Sequence, residues 1–166
     1  VIELASAMLK TKFGTFKEIL YSDGSKNIIV LTKGNIEYQE NVLCRIHSHC
    51  ISAHYFHSIE CDCNQQMEFS QKIIEEKQQG IIIWLEQEGR GNGHYAKMLA
   101  EQYKKEGQSQ AEAYIKAGYP SDNRQYFEVK TILEDLKVKS VVLISNSDSK
   151  RNSIERIGVK VNDMIG

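Results

Sequence analysis

The sequence predicts an α/β fold: a layered domain with a mixed β-sheet flanked by helices and antiparallel strands at its N-terminus. Three observations carry that expectation. Residues 12–36, "KFGTFKEILYSDGSKNIIVLTKGNI", alternate apolar and polar side chains and are broken by Ser22-Asp23-Gly24 and by Lys33-Gly34-Asn35. That is the pattern of antiparallel strands joined by turns. Two short apolar runs, "IIIWL" at 81–85 and "SVVLIS" at 140–145, have the length of strands covered on both faces. Around them apolar residues recur at helical spacing, so strands and helices alternate.

In chain order, "VLCRIHS" (42–48) reads as a strand whose Cys44 belongs to the core. Residues 63–80 carry Met67, Phe69, Ile73 and Ile74 at helical spacing, with Gly80 as the expected C-terminal stop. "GHYAKMLAEQYKKEG" reads as a helix ended by Gly107. A helix over 126–137 follows the turn "YPSDNR" and carries Val129, Ile132, Leu133 and Leu136. A helix "RNSIERIG" and a short strand "VKV" follow the 140–145 run. A single Pro, no Ser/Gly-rich linker and no internal repeat predict one domain over residues 1–166, long enough to bury a core without staples.

Hydrophobic residues make up 41% and charged residues 26%, as in soluble globular proteins. The 21 basic and 22 acidic side chains nearly cancel, so an anionic ligand needs a local cluster of charge. With no basic stripe, a nucleic-acid partner is not expected. No apolar run is long enough to span a bilayer and no signal peptide opens the chain, so no membrane partner and a cytoplasmic location are expected. The sequence begins at Val1 and not at Met, as a trimmed or processed start would.

All four cysteines fall in "CRIHSHCISAHYFHSIECDC" (44–63), together with four histidines. Disulfide scaffolds spread cysteines to tie distant segments together; this clustering points to a reducing compartment and thiols free for a metal. Cys50, Cys61 and Cys63 stand in the order Cys, ten residues, Cys, one residue, Cys, which is neither a zinc ribbon nor a finger. Three thiolates fit a catalytic zinc with an open position; three buried free cysteines are the competing reading. His47, His49, His54 and His57 are the candidate fourth ligands.

Three further stretches stand out. "GIIIWLEQEGRGNGHYAK" runs from a strand through Gly89, Gly91 and Gly93 into a helix, where backbone N–H groups, Arg90 and Lys97 can meet an anion. A simple tight turn explains the glycines equally well. In "YPSDNRQY", Asp122 and Arg124 sit two apart on a turn, the ordinary arrangement of an exposed ion pair. "ISNSDSKR" ends the second buried strand, a place where α/β sheets bind ligands, and offers Ser145, Lys150 and Arg151 to a phosphate. A solvated helix start is the alternative there.

Taken in order, "RIHSHC", "CDC", "EQEGRGNG", "GYPSDNRQY" and "LISNSDSK" resemble the motifs of the GTP cyclohydrolase II family, R-V-H-S-E-C, C-D-C, R-Q-E-G-R-G-I-G, G-F-x-x-D-x-R-x-Y and L-L-T-N-N-P-x-K. The resemblance implies a zinc-dependent hydrolase of riboflavin biosynthesis that opens the imidazole ring of GTP and releases formate and pyrophosphate. It implies zinc on Cys50, Cys61 and Cys63, with magnesium at the phosphates. It implies nucleotide binding by Arg45, Ile46, His47, Ser48, His49, Gln66, Glu88, Gly89, Arg90, Gln110, Ser145 and Lys150. Asp122 matches the family's proton acceptor and Arg124 the residue that acts at the α-phosphate. A homodimer is implied as well.

The departures from the family pattern concern the substrate. His49 replaces an acidic residue before the first zinc cysteine, and Glu86 replaces an Arg two positions before the E-G-R. Glu101, Gln110 and Gln125 replace a Tyr, a Thr and an Asp. A relative acting on another nucleotide, with a different phosphate state or a uracil base, and an inactive zinc-binding relative are the alternatives. A negative Glu86 beside phosphate oxygens would disfavour a triphosphate.

Overall fold

A computed structural model describes residues 1–166, and the chain divides into two compact units. Residues 1–47, 65–85 and 126–166 form the first; residues 48–64 and 86–125 form the second.

The first unit holds a seven-stranded sheet. In chain order its strands are β1 (Ile2–Thr11), β2 (Gly14–Ser22), β3 (Asn27–Lys33), β4 (Val42–Ser48), β5 (Gly80–Leu85), β6 (Val141–Ile144) and β7 (Val161–Ile165). Their order across the sheet is β1-β2-β3-β5-β4-β6-β7. The pairs β1–β2, β2–β3 and β3–β5 are antiparallel, whereas β4–β6 and β6–β7 are parallel, so the sheet is mixed as the sequence predicts. The apolar run in β5 is explained by two covered faces. Ile81, Ile83 and Leu85 join one core, with Val30, Val42 and Leu143, while Ile82 joins another with Phe16 and Ile144. Helix α2 (Cys63–Lys77) supplies Ile74, Met67 and Ile73 to the smaller core. Helices α5 (Phe127–Asp135) and α6 (Asp148–Arg156) bring Val129, Ile132, Leu133 and Ile154 to the larger.

Three departures from the sequence-based expectations have local causes. Gly80 does not stop α2 but starts β5, paired with Lys33. The helix ends earlier, with Gln78 in the left-handed region at φ 57°. Gly80 is required instead by a close approach, since a Cβ there would lie 2.5 Å from Ile74 Cγ1. β1 precedes the stretch read as strands; "IELASAMLKT" is rich in helix formers, and pairing with β2 from Ile2↔Ser22 to Thr11↔Gly14 overrides propensity. The last strand lies at 161–165 and not 159–161, and α6 starts three residues early because Ser147 Oγ caps it by accepting from Lys150 N at 3.1 Å.

Cys44 is fully buried in the larger core, as expected. Burial pushes its thiol up from 9.0 to about 12, against the opposing charges of Arg45 and Lys150. The folded chain therefore holds that proton more tightly than the unfolded one. The resulting stability is complete below pH 9 and is lost as pH rises towards about 12. Urea titrations across that interval should show falling stability, and Cys44→Ala should make the fall shallower. Equal slopes in both proteins would contradict the assignment.

Candidate metal centre and anion loops

The second unit gathers the three cysteines. Cys50 precedes α1 (Ile51–His54), Cys61 lies in the following loop, and Cys63 is the first residue of α2. Their Sγ atoms all lie within 4.8 Å of one another, and Cys50 and Cys61 are 3.8 Å apart. Sulfur ligands at the usual zinc distance of about 2.3 Å, set at tetrahedral angles, stand about 3.8 Å apart. A disulfide needs about 2.05 Å. The group thus has the spacing of a metal site and not of a bridge. Burial, then the charge of Cys50 and the bond to Cys61, pushes the Cys63 thiol well up, and a metal that binds thiolates displaces such protons. The residues fit zinc.

None of the candidate histidines joins the thiol group. His54 Nδ1 sits 2.8 Å from Asn64 Oδ1, and Asn64 Nδ2 donates to Ala53 O at 2.5 Å. Burial holds His54 below the usual imidazole range despite the Asn64 bond, and His49 adds to the effect. The His49 ring stands edge-on to Tyr55 at 6.1 Å, and its Nε2 is 4.0 Å from Glu88 Oε2.

Glu88 is 7% exposed and ties the cysteine segment to the rest of the unit. Its Oε1 accepts from Ile51 N at 3.2 Å and lies 2.5 Å from His94 Nδ1. Helix α3 (His94–Lys105) packs on α4 (Gln110–Lys116) through Ala96, Ala100, Ala113 and Tyr114. From its first turns α3 sends His94 to Glu88 and Lys97 to Cys50, with Nζ 3.6 Å from Sγ. Lys97, expected to face an anion, thus faces a thiol.

Within the glycine turn three amides are bonded to the turn's own carbonyls. Gly91 N donates to Gln87 O at 3.2 Å, Asn92 N to Gly89 O at 3.0 Å and Gly93 N to Glu88 O at 2.9 Å. These amides are consumed within the turn. At Gly91 the requirement for glycine is twofold: φ is 84°, and a Cβ would lie 2.6 Å from Asn123 O. That second contact belongs to the 119–125 turn, which is laced to the glycine turn. Asn123 N donates to Arg90 O at 2.7 Å, Asn92 Nδ2 to Pro120 O at 3.0 Å and Gln125 N to Gln87 Oε1 at 2.6 Å. Arg90 donates from Nη1 to Ser121 O and from Nη2 to Gln110 Oε1, both at 3.2 Å.

Asp122 and Arg124 form a multidentate pair. Arg124 N and Nε each donate to Asp122 Oδ1 at 3.0 Å, and Nη2 donates to Oδ2 at 2.5 Å. Partial burial pushes the Asp122 carboxyl up, but the Arg124 bonds and the charges of Arg124 and Arg90 outweigh it and leave it below the usual carboxylate range. The second unit also contains Ser48, whose buried Oγ has no hydrogen-bond partner. Such an orphan points to a group that binds there.

In the first unit, Arg45 joins two other expected nucleotide residues, His47 and Gln66, into one network. It is buried, donates from Nε to His47 Nδ1 at 3.2 Å, from Nη1 to Ile144 O at 2.9 Å and from Nη2 to Gln66 Oε1. Lys150 Nζ donates to Ile46 O at 3.1 Å, and Ser145 sits at the end of β6, with its Oγ accepting from Ser147 N. Arg151 is engaged elsewhere, with Glu155 Oε1 at 2.7 Å and Val161 O at 3.2 Å. Sequence reading missed Gln87, Asn92 and His94. His94, the first residue of a helix that follows three glycines, carried the one signal that pointed to it, a titratable ring at a helix start.

A family model described as GTP cyclohydrolase II matches residues 3–166. A GTP cyclohydrolase-2 of Archaeoglobus fulgidus is 38% identical over 163 residues, covering 97% of this chain and 43% of that one. A riboflavin biosynthesis protein RibBA of Endomicrobium trichonymphae is 34% identical over 163 residues, covering 97% and 40%. A GTP cyclohydrolase-2 of Acinetobacter baylyi is 35% identical over 165 residues, covering 98% and 82%. The chain thus spans about two fifths of the first two relatives. In the crystal structure of RibBX, a two-domain 3,4-dihydroxy-2-butanone 4-phosphate synthase from A. baumannii, 15% identity and a TM-score of 0.57 over 99% of this chain and 40% of that one show a shared fold.

The interlocked turns generate a test. Gly91→Ala adds a left-handed strain and a clash with Asn123 O, together worth about 1–3 kcal/mol. It should lower the unfolding midpoint and open both turns to proteases, with new cuts near residues 90 and 123. Cleavage confined to the glycine turn would show the two to be independent.

Proposed function

The chain belongs to the GTP cyclohydrolase II family, and on that premise we propose that it is a zinc-dependent cyclohydrolase that opens the imidazole ring of GTP and releases formate and pyrophosphate. The observation that carries the proposal is the group of three thiols at metal-site spacing within a family match of nearly the whole chain. Three protein ligands leave a tetrahedral ion one open position. When bound there, zinc supplies a Lewis acid that activates water for hydrolysis near neutral pH.

The chain's own groups divide the rest of the work. Asp122, held in its carboxylate form by Arg124, is a proton acceptor in the second unit. Arg90 and Arg124 are its cations for the triphosphate, whose remaining charge a bound magnesium would offset. Ser48 offers an unused hydroxyl, and His49, Glu88, Gly89 and Gln110 complete the proposed nucleotide contacts of that unit. In the first unit, Arg45, Ile46, His47, Gln66, Ser145 and Lys150 are the proposed nucleotide residues, already ordered by Arg45 and Lys150. Glu86 is exposed and enters no ion pair, so water screens its charge and the triphosphate remains acceptable. A homodimer in the cytoplasm completes the reading; no helix is long and apolar enough to cross a membrane.

Metal analysis of purified protein should find one zinc per chain, and GTP should yield formate and pyrophosphate. Cys50→Ser, Cys61→Ser and Cys63→Ser should each lose the metal and ring opening while keeping the fold. Zinc-free protein with all four thiols titratable would refute the metal centre.

Arg124→Ala should abolish pyrophosphate release, and Arg124→Lys should restore little, because an ammonium cannot reproduce the forked contact with Asp122. Normal pyrophosphate release by Arg124→Ala would remove that residue from the chemistry.

A further inference from the structure

The metal reading leaves one charge to be accounted for. Three thiolates and a divalent ion sum to one net negative charge. The thiol group is half-buried, with Cys50 the most enclosed of the three, so that charge is only partly screened by water. The cation directed at it is Lys97. Its Nζ lies 3.6 Å from Cys50 Sγ, within the range of an N–H···S bond, and no carboxylate pairs with it. Lys97 is placed there by the fold: it lies one turn after His94 on α3, and its backbone N donates to Gly93 O at 3.1 Å.

The two residues secure Cys50 by different routes. Lys97 reaches the sulfur itself, whereas His94 acts through Glu88, whose Oε1 accepts from Ile51 N, the amide next to Cys50. The glycine turn thus has a purpose apart from anion binding. It starts α3 at the point from which residues 94 and 97 both face the cysteine segment.

We propose that Lys97 is a positioning residue of the metal centre: it donates to the Cys50 thiolate, offsets the net negative charge of the loaded site and thereby sets metal affinity. The proposal rests on the metal reading above. Residues that hydrogen-bond metal ligands commonly contribute 10–100-fold to affinity. Removing the charge should therefore weaken zinc binding about tenfold or more at pH 7. The Cys50 sulfur, freed of its donor, should also give up electron density more readily to a bound ion.

The test uses the full chain, with Lys97→Met, Lys97→Gln and Lys97→Arg beside the wild type. Zinc affinity is read by competition with a chromophoric chelator, and the sulfur-to-metal charge-transfer bands are read after loading with cobalt(II). Lys97→Met and Lys97→Gln should lose at least tenfold in zinc affinity and move the bands to longer wavelength. Lys97→Arg should stay near the wild type in both. Unchanged affinity and bands in Lys97→Met and Lys97→Gln, with a wild type that binds zinc, would overturn the role of Lys97 alone. Equal losses in Lys97→Arg would overturn it too, by assigning the effect to packing and not to charge. A wild type showing no thiolate charge-transfer bands would instead remove the metal centre, and Lys97 with it.

Discussion

The gathering of three sulfur atoms within 4.8 Å of one another is the constraint on which the second unit depends. As thiolates they would need a cation between them, and as thiols Cys50 and Cys61 stand within S–H···S reach at 3.8 Å. The surrounding groups answer that constraint. Glu88 pins the amide after Cys50, Asn64 pins the carbonyl of Ala53, and α3 delivers a positive charge to the Cys50 sulfur. A carboxylate that is 7% exposed is costly to bury alone; here His94 and the Ile51 amide satisfy it.

The first unit meets a different requirement, the burial of both faces of a mixed sheet. Its polar residues are correspondingly preorganised. Arg45 is nearly inaccessible and spends donors on His47, Ile144 and Gln66, which fixes the geometry of that network before any ligand arrives.

Much of this was legible in the sequence. The 81–85 run had the length of a strand covered on both faces, and the cysteine spacing, which suited neither disulfides nor zinc fingers, left an open metal site and buried free cysteines as the readings. What could not be read were features set by tertiary contacts. β1 consists of helix-forming residues and becomes a strand through its register with β2. The bonding of the Gly91, Asn92 and Gly93 amides within the glycine turn depends on how that turn folds, which the spacing of the glycines does not give. Lys97 looked like a phosphate ligand because the helix start, correctly placed from the sequence, does not show what its first turns pack against. His94 was passed over because its role runs through Glu88, six positions away.

The lacing of the glycine turn to the 119–125 turn bears on how such a protein can diversify. Loops are ordinarily where homologous chains gain and lose residues without harm. These two share Asn123 N on Arg90 O, Asn92 on Pro120 and Gln87 on Gln125, with Gly91 leaving no gap between them. A residue gained or lost in one would break the registration of the other. Diversification of this unit is therefore confined to exchanging side chains, while the two loop lengths are inherited together.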